Sequence, residues 1–306
     1  MTPFRFLVLV GITMTWGLHF SVIKSTVGDI PPIFYVTLRM ALVAILLSPL
    51  LRWYPGQMRN IMLAGFFYGG INYVFMFSGL NFITASLGSI LMQTYVPFAM
   101  LFSVLFLGEV IQWRRILGLI LAFSGIFIII SAGGDLTGSD NLILGATLVV
   151  AAAACEAGAT IFIRQTKGVP PLGILVWAGI IGALVTAPLT FFVESDQLAF
   201  WNSSVKWEVL SALSYSVLMA SVVSGFAYYW LLQKVSVSQV ASGTFMTTIF
   251  AVIFGVVLMN DPFTLQFLIG GLITMTGIAI IIIRNIKVKA NIPFISPQGA
   301  ARRRWK

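Results

Sequence analysis

The sequence predicts an all-α membrane protein in which ten transmembrane helices form two inverted five-helix repeats around a central cavity. Three observations predict it. First, 59% of the 306 residues are hydrophobic and only 9% are charged, with mean hydropathy +1.00. Soluble domains carry about 25% charged residues; water cannot solvate this surface, so the chain must sit in lipid. Second, the apolar residues fall into ten runs of roughly 17 to 25 residues, the length that crosses a bilayer as a helix. Third, the first five runs and the last five match in register.

The runs cover residues 4–23, 32–51, 60–80, 84–107, 115–131, 142–163, 171–193, 207–233, 237–259 and 263–283. The first is long, lacks an A-x-A cleavage pattern and is followed by further runs, so it reads as a retained helix and not as a secretory signal. Pro31-Pro32 and Pro170-Pro171 open the second and seventh runs, where proline suits the first helical turn. Pro97 removes a backbone donor from the middle of the fourth and predicts a kink. Gln93, Thr94 and Tyr95 lie one turn away, and carbonyls freed beside a cavity are one means of making polar contacts within lipid. Gly133, Gly134, Asp135, Gly138 and Asp140 form a polar joint after the fifth run. The first repeat is therefore 1–134, the second 135–284, and 285–306 is a basic tail.

Orientation follows from the cations. With the N-terminus in the cytoplasm, inner segments hold 15 of the 18 Lys and Arg residues. Outer segments hold Lys24 and Lys206, and Arg39 lies within the second run. Both termini are thus expected in the cytoplasm, at the cell membrane, most simply a bacterial inner membrane. The net charge of +9 then meets anionic lipid headgroups. No basic soluble domain is present to carry that charge to nucleic acid.

The repeat is read from polar and glycine positions. An offset of 152 pairs Glu109 with Asp261, Gly118 with Gly270 and Gly125 with Gly277. An offset of 139 pairs the two diproline steps, the difference fitting a longer loop between the seventh and eighth runs. An odd number of spans per repeat inserts the second half upside down, the arrangement that permits alternating access.

Enzyme chemistry lacks its reagents. One cysteine and one histidine exclude an intramolecular disulfide and the usual zinc constellations. HExxH, GxSxG and P-loop patterns are absent. Neither a cofactor nor a metal is expected.

Three stretches carry a family resemblance. "TWGLHFSVIK", residues 15–24, resembles the TWG-x-x-F-x-x-x-K opening of EamA-type members of the drug/metabolite transporter superfamily. Arg39 in "TLRMALVAILL" resembles their second-span arginine. "YVPFAMLFSVLFLGE" resembles their fourth-span ending, a proline followed twelve residues later by a glutamate, here Glu109. The likeness covers residues 4–284 and implies a ten-helix, two-repeat carrier of small organic metabolites, often an exporter. The second half departs from the pattern: Ile249 stands where proline is expected, Asp261 replaces glutamate, and the sixth span has no TWG. The site should therefore be asymmetric.

His19 shares a helical face with Trp16 and Ile23 and should look into the bundle or a water-filled cavity. There it reads as a hydrogen-bonding wall or as a proton acceptor. Glu156 is the acid set deepest in a predicted span. It reads as a proton carrier, as a partner for a substrate amine, or as a structural partner of Arg39. Arg39 itself reads as structural, bonding carbonyls of a broken helix or snorkelling. Glu109, pairing with Arg114 or Arg115, and Asp261, capping a helix ahead of Pro262, also read as structural. Trp16, Tyr68, Tyr95 and Tyr228, with Asn72 on the face of Tyr68, suit a ring-bearing or amphipathic solute. The expected wall is Trp16, His19, Tyr68, Asn72, Gln93, Tyr95, Glu156 and Tyr228, with His19 and Glu156 as proton-coupling candidates. Thr244, Thr247 and Thr248 are the matching polar positions in the other half.

The expected partners are a small-molecule solute, protons as a candidate coupling ion, and lipid. Gly65-x-x-x-Gly69 permits close packing, within the bundle or in a homodimer. The function expected is secondary active export of an amino acid or related compound. A facilitator or importer of sugars or nucleotide conjugates, and a non-transporting assembly subunit, are the alternatives.

Overall fold

Backbone amides in lipid must find their partners within the chain, which leaves helices or closed barrels. In the computed structural model, which describes residues 2–107, 113–131, 141–234 and 245–288, every regular element is helical. In chain order these are α1 (Pro3–Lys24), α2 (Pro32–Leu46), α3 (Met58–Gly65), α4 (Tyr73–Leu80), α5 (Ala85–Met92), α6 (Tyr95–Leu107), α7 (Trp113–Ser131), α8 (Leu142–Gln165), α9 (Pro171–Val193), α10 (Lys206–Tyr215), α11 (Ser224–Lys234), α12 (Phe245–Met259) and α13 (Leu265–Val288). Among the described residues seven helical stretches are long and apolar enough to cross a membrane, and Pro32–Leu46, Phe245–Met259 and Leu265–Ile281 are shorter apolar helices. The expected run 32–51 ends early because Pro49 starts a tight 3₁₀ turn, Ser48–Leu50.

Three of the expected continuous spans are interrupted. A π-helical stretch, Phe66–Asn72, joins α3 to α4, and a second, Ser216–Val223, joins α10 to α11. They occupy corresponding places in the two halves. Such wide turns break the regular ladder and are frequent at functional sites. The third break falls at Gln93–Thr94, between α5 and α6. Proline at 97 has no N–H to offer the Gln93 carbonyl, which accepts instead from the Val96 N–H at 3.1 Å.

The packing is two-fold. α7 lies against α13, with Gly118 facing Gly277 and Gly125 facing Gly270. The partner numbers fall as the α7 numbers rise, so these helices are antiparallel. Positions 118 and 270 correspond in the repeat, as do 125 and 277, so exchanging the halves maps one contact onto the other. Between them the Thr274 hydroxyl donates to the Ala122 carbonyl at 3.3 Å, again a pair at offset 152. α1 packs on α12, as its repeat mate α8 packs on α5 and α6, and α2 packs on its own mate α9.

At the end of the bundle where α1 finishes and α2 and α5 begin, charged side chains close helix ends, those of Glu194 and Asp261 across the two halves. The Glu194 carboxylate accepts from the Ile33 and Phe34 N–H groups at 2.8 and 3.0 Å, closing the N-terminus of α2. The Asp261 carboxylate accepts from the Ser86 N–H at 2.8 Å and its hydroxyl at 2.6 Å, closing α5. Lys24 Nζ donates to the Leu80 and Asn81 carbonyls at 2.9 and 3.3 Å. Each group offsets the dipole of the helix end it meets.

Asp261 thus differs from the sequence expectation. It does not cap the helix that follows it. α13 begins at Leu265, and its first turn is capped by the Thr264 hydroxyl, which accepts from the Phe267 N–H at 3.1 Å. Asn260, in the left-handed region at φ 54°, turns the chain so that the next carboxylate points at the other half. Replacing Asp261 by alanine should lower stability by about 2–3 kcal/mol, because two charge-assisted bonds go and a buried N–H is orphaned. Asp261→Asn should fall between. Thermal unfolding of the purified full-length protein in detergent checks this. Glu109, the repeat mate of Asp261, lies outside the described residues, as does the expected boundary at 134.

Candidate solute-binding site

The site begins with one serine. Ser216 opens the second π-helical stretch, and its hydroxyl lies 3.0 Å from His19 Nε2 and 2.8 Å from the Tyr35 hydroxyl. One turn on, the Ser221 hydroxyl donates to the Ser216 carbonyl at 2.8 Å. Five residues apart is the π-helical spacing; on an α-helix these two serines would diverge. Ser221 also accepts from Arg39 Nη2 at 3.1 Å. The same nitrogen donates to the Tyr73 hydroxyl at 3.4 Å, and Tyr73 donates to Tyr68 at 3.1 Å. The guanidinium carbon sits 4.3 Å from the Tyr73 ring centre and 5.9 Å from that of Phe77. Arg39 therefore bonds side-chain hydroxyls, where the sequence led us to expect backbone carbonyls.

A second group adjoins the first. The Glu156 carboxyl is within electrostatic reach of the Tyr68 and Tyr95 hydroxyls, and Tyr95 is within reach of Tyr228 and Arg164. Trp16 and Tyr228 have ring centres 5.4 Å apart, and the indole N–H of Trp16 donates to the Ala220 carbonyl at 3.0 Å. Gln93 donates to the Thr248 hydroxyl at 2.7 Å. Trp16, Tyr68, Gln93, Tyr95, Glu156 and Tyr228 are half-buried, whereas His19 is 6% exposed and Arg39 3%.

The structure thus links Trp16 with Tyr228 and puts His19 on the serine that touches Tyr35, while Glu156 acts on Tyr68 and Tyr95 through its charge. Asn72 is committed elsewhere: its amide donates to the Ala152 carbonyl at 2.7 Å, tying α8 to the first π-helical stretch. Beside Thr248 an apolar recess of about 210 Å³ opens between α5, α12 and α13. Its lining includes Ile90, Val252, Phe267 and Met275, and the single hydroxyl in it is the one Gln93 holds. It offers a polar solute little beyond that hydroxyl. Tyr35, Tyr73, Ser216 and Ser221 are the site residues that sequence reasoning missed. Tyr35 had a signal, since it lies one helical turn before Arg39 on the same face.

Hydrogen bonds between polar side chains thus join the two halves inside an apolar bundle. The EamA-like transporter family matches residues 4–131 and again residues 143–283, one match per repeat. This chain belongs to that family.

Among EamA-like relatives, an uncharacterized transporter of Bacillus subtilis, YvbV, is 24% identical over 93% of this chain and 92% of its own length. A probable amino-acid metabolite efflux pump of Escherichia coli is 26% identical over 88% of this chain and 91% of its own length. One crystal structure matches with a TM-score of 0.62 at 14% identity, covering 94% of this chain and all of that one, a likeness of fold. The EamA-like protein described here is thus a multi-pass membrane protein of a transporter family, with its polar groups gathered where the two repeats meet.

Proposed function

We propose that this EamA-like protein is a secondary active transporter that exports a small organic metabolite, an amino acid or related compound, across the cytoplasmic membrane by alternating access. One observation carries the reading: a buried hydrogen-bonded relay crosses between the repeats, from His19 and Arg39 of the first to Ser216 and Ser221 of the second. A buried polar network of this kind is costly in lipid and is explained by a solute pathway. Relatives in Escherichia coli and Salmonella typhimurium bear the name of amino-acid metabolite efflux pumps, which supports the solute class.

In this reading the three shorter apolar helices also cross, making ten spans. Both termini are cytoplasmic, as the cation distribution favours. The latched end at Lys24, Glu194 and Asp261 then faces outward. The halves, 1–134 and 135–284, rock about the site, and the half-buried set from Trp16 to Tyr228 forms the wall against which a solute rests. His19 and Glu156 are the groups that move protons.

Cells expressing the protein are expected to release more of at least one amino acid into the medium than cells without it. The purified protein in proteoliposomes should move that compound faster when a pH gradient is imposed. Flux indifferent to both pH gradient and membrane potential overturns the coupling. Failure to move any compound of the released pool overturns the carrier.

A further inference from the structure

Arg39 sits midway along α2 and is almost fully buried. Its Nη2 is bonded to two hydroxyls, but its Nε and Nη1 have no partner among the described residues. A guanidinium carries five N–H donors and cannot shed its charge, so three donors and the whole positive charge are unanswered. None of its nitrogens is bonded to a carboxylate. Asp261 is held by Ser86 and Glu194 by Ile33 and Phe34, and the Glu156 carboxylate makes no bond to the Arg39 nitrogens. The rings of Tyr73 and Phe77 attract a cation weakly and leave its donors unmet. A buried, unpaired charge of this kind is costly, and it is relieved by an anion delivered to it.

We propose that Arg39 is the anchor for a carboxylate group of the transported solute. The inference rests on the carrier reading above and narrows its substrate class to carboxylates. One guanidinium flanked by the hydroxyls of Ser221 and Tyr73 matches a single negative charge, and arginine is the side chain best suited to a planar carboxylate. A phosphate dianion calls for a second cation, and Lys24 is already held by the Leu80 and Asn81 carbonyls. The Ser221 and Tyr73 hydroxyls can turn to follow the anion as it enters and leaves, since each is both donor and acceptor. Through Ser221 and Ser216 the anchor is joined to the second repeat, so occupancy of Arg39 is felt at the interface that must move.

The test uses the purified full-length protein in detergent, with thermal unfolding measured against increasing acetate, benzoate, L-phenylalanine and, as the uncharged control, benzamide. At least one carboxylate should stabilise the wild type, and benzamide should not. Arg39→Gln should raise the apparent Kd of that carboxylate about 30-fold or more, the loss expected when one partner of a buried charge pair is removed, and Arg39→Lys less. Without ligand, Arg39→Gln should unfold at or above the wild-type temperature, because an unpaired charge is gone. If Arg39→Gln does not fold, the benzoate-against-benzamide difference in wild type and in Arg39→Lys decides instead. Equal stabilisation by benzoate and benzamide, no response to any carboxylate, or a carboxylate response that survives Arg39→Gln overturns the anchor. Flux of labelled L-phenylalanine in proteoliposomes separates the two readings. Flux unchanged by Arg39→Gln leaves the carrier standing without the anchor. Carboxylate binding that needs Arg39, with no flux of any solute, leaves the anchor and removes the carrier.

Discussion

Gly277→Leu should disrupt the bundle more than any other single change considered above, through loss of the α7–α13 crossing. A Cβ at Gly277 would lie 2.6 Å from the Gly118 carbonyl oxygen and 2.5 Å from the Ala122 nitrogen. Both are backbone atoms of a packed helix and cannot turn aside as a flexible side chain can. The helices must separate, and the Thr274–Ala122 bond at their centre goes with them. Overpacking a filled interior costs about 1–3 kcal/mol, and the leucine substitution should reach or exceed the top of that range. Gly277→Ala should cost less, since only its Cβ must be accommodated. The two-fold makes a sharper demand. A Cβ at Gly118 would lie 2.7 Å from the Gly277 oxygen, so Gly118→Leu should be about as damaging as Gly277→Leu. Size-exclusion profiles and thermal unfolding of the detergent-purified variants check both. A stable, monodisperse Gly277→Leu protein would refute the crossing.

The second large effect is expected in function. Glu156→Gln should leave the fold intact and uncouple transport. Glu156 lies well inside α8, on a half-buried surface beside Tyr68 and Tyr95, and no described residue donates a hydrogen bond to its carboxylate that glutamine would lose. An ionisable side chain within a membrane helix marks a candidate functional site. Its isosteric amide keeps the volume and removes the charge, so the unfolding temperature should hold or rise. Flux driven by a pH gradient should fall strongly, while exchange of solute across equal gradients persists. Proteoliposomes with and without an imposed gradient measure the split. A lower unfolding temperature with gradient-driven flux preserved would make Glu156 a structural residue.

The contrast between these two substitutions shows what a linear reading can reach. Glycine spacing at 118, 125, 270 and 277 was legible because a repeat is a pattern in one dimension, but that Gly118 meets Gly277 and Gly125 meets Gly270 was not. Glu156 and His19 were legible because polar groups are rare in apolar runs and expensive there. Their partners were not. His19 meets Ser216, 197 positions away, and Arg39 meets Ser221, 182 positions away; serine in a membrane helix carries no signal of its own, since it also bonds its own helix. The interruptions were half visible. Pro97 announced one break by its missing N–H, whereas neither π-helical stretch contains a residue that dictates it. The latch at Asp261 shows the same limit: Asp261 before a proline has the local look of a cap, and the side chain closes a different helix.

The sequence alone determined that the chain lives in lipid, that it is helical, and that it is built from two matching halves, because hydropathy, backbone satisfaction and repeat register are properties of segments taken one at a time. Only the tertiary structure decided which faces meet, where the helices widen, and that Arg39 is bonded to no carboxylate among the described residues. In lipid every apolar face is equally welcome to the solvent, so hydrophobicity cannot choose between neighbours. That choice falls to close glycine contacts and a few buried hydrogen bonds, and those exist only once helices far apart in the chain have come together.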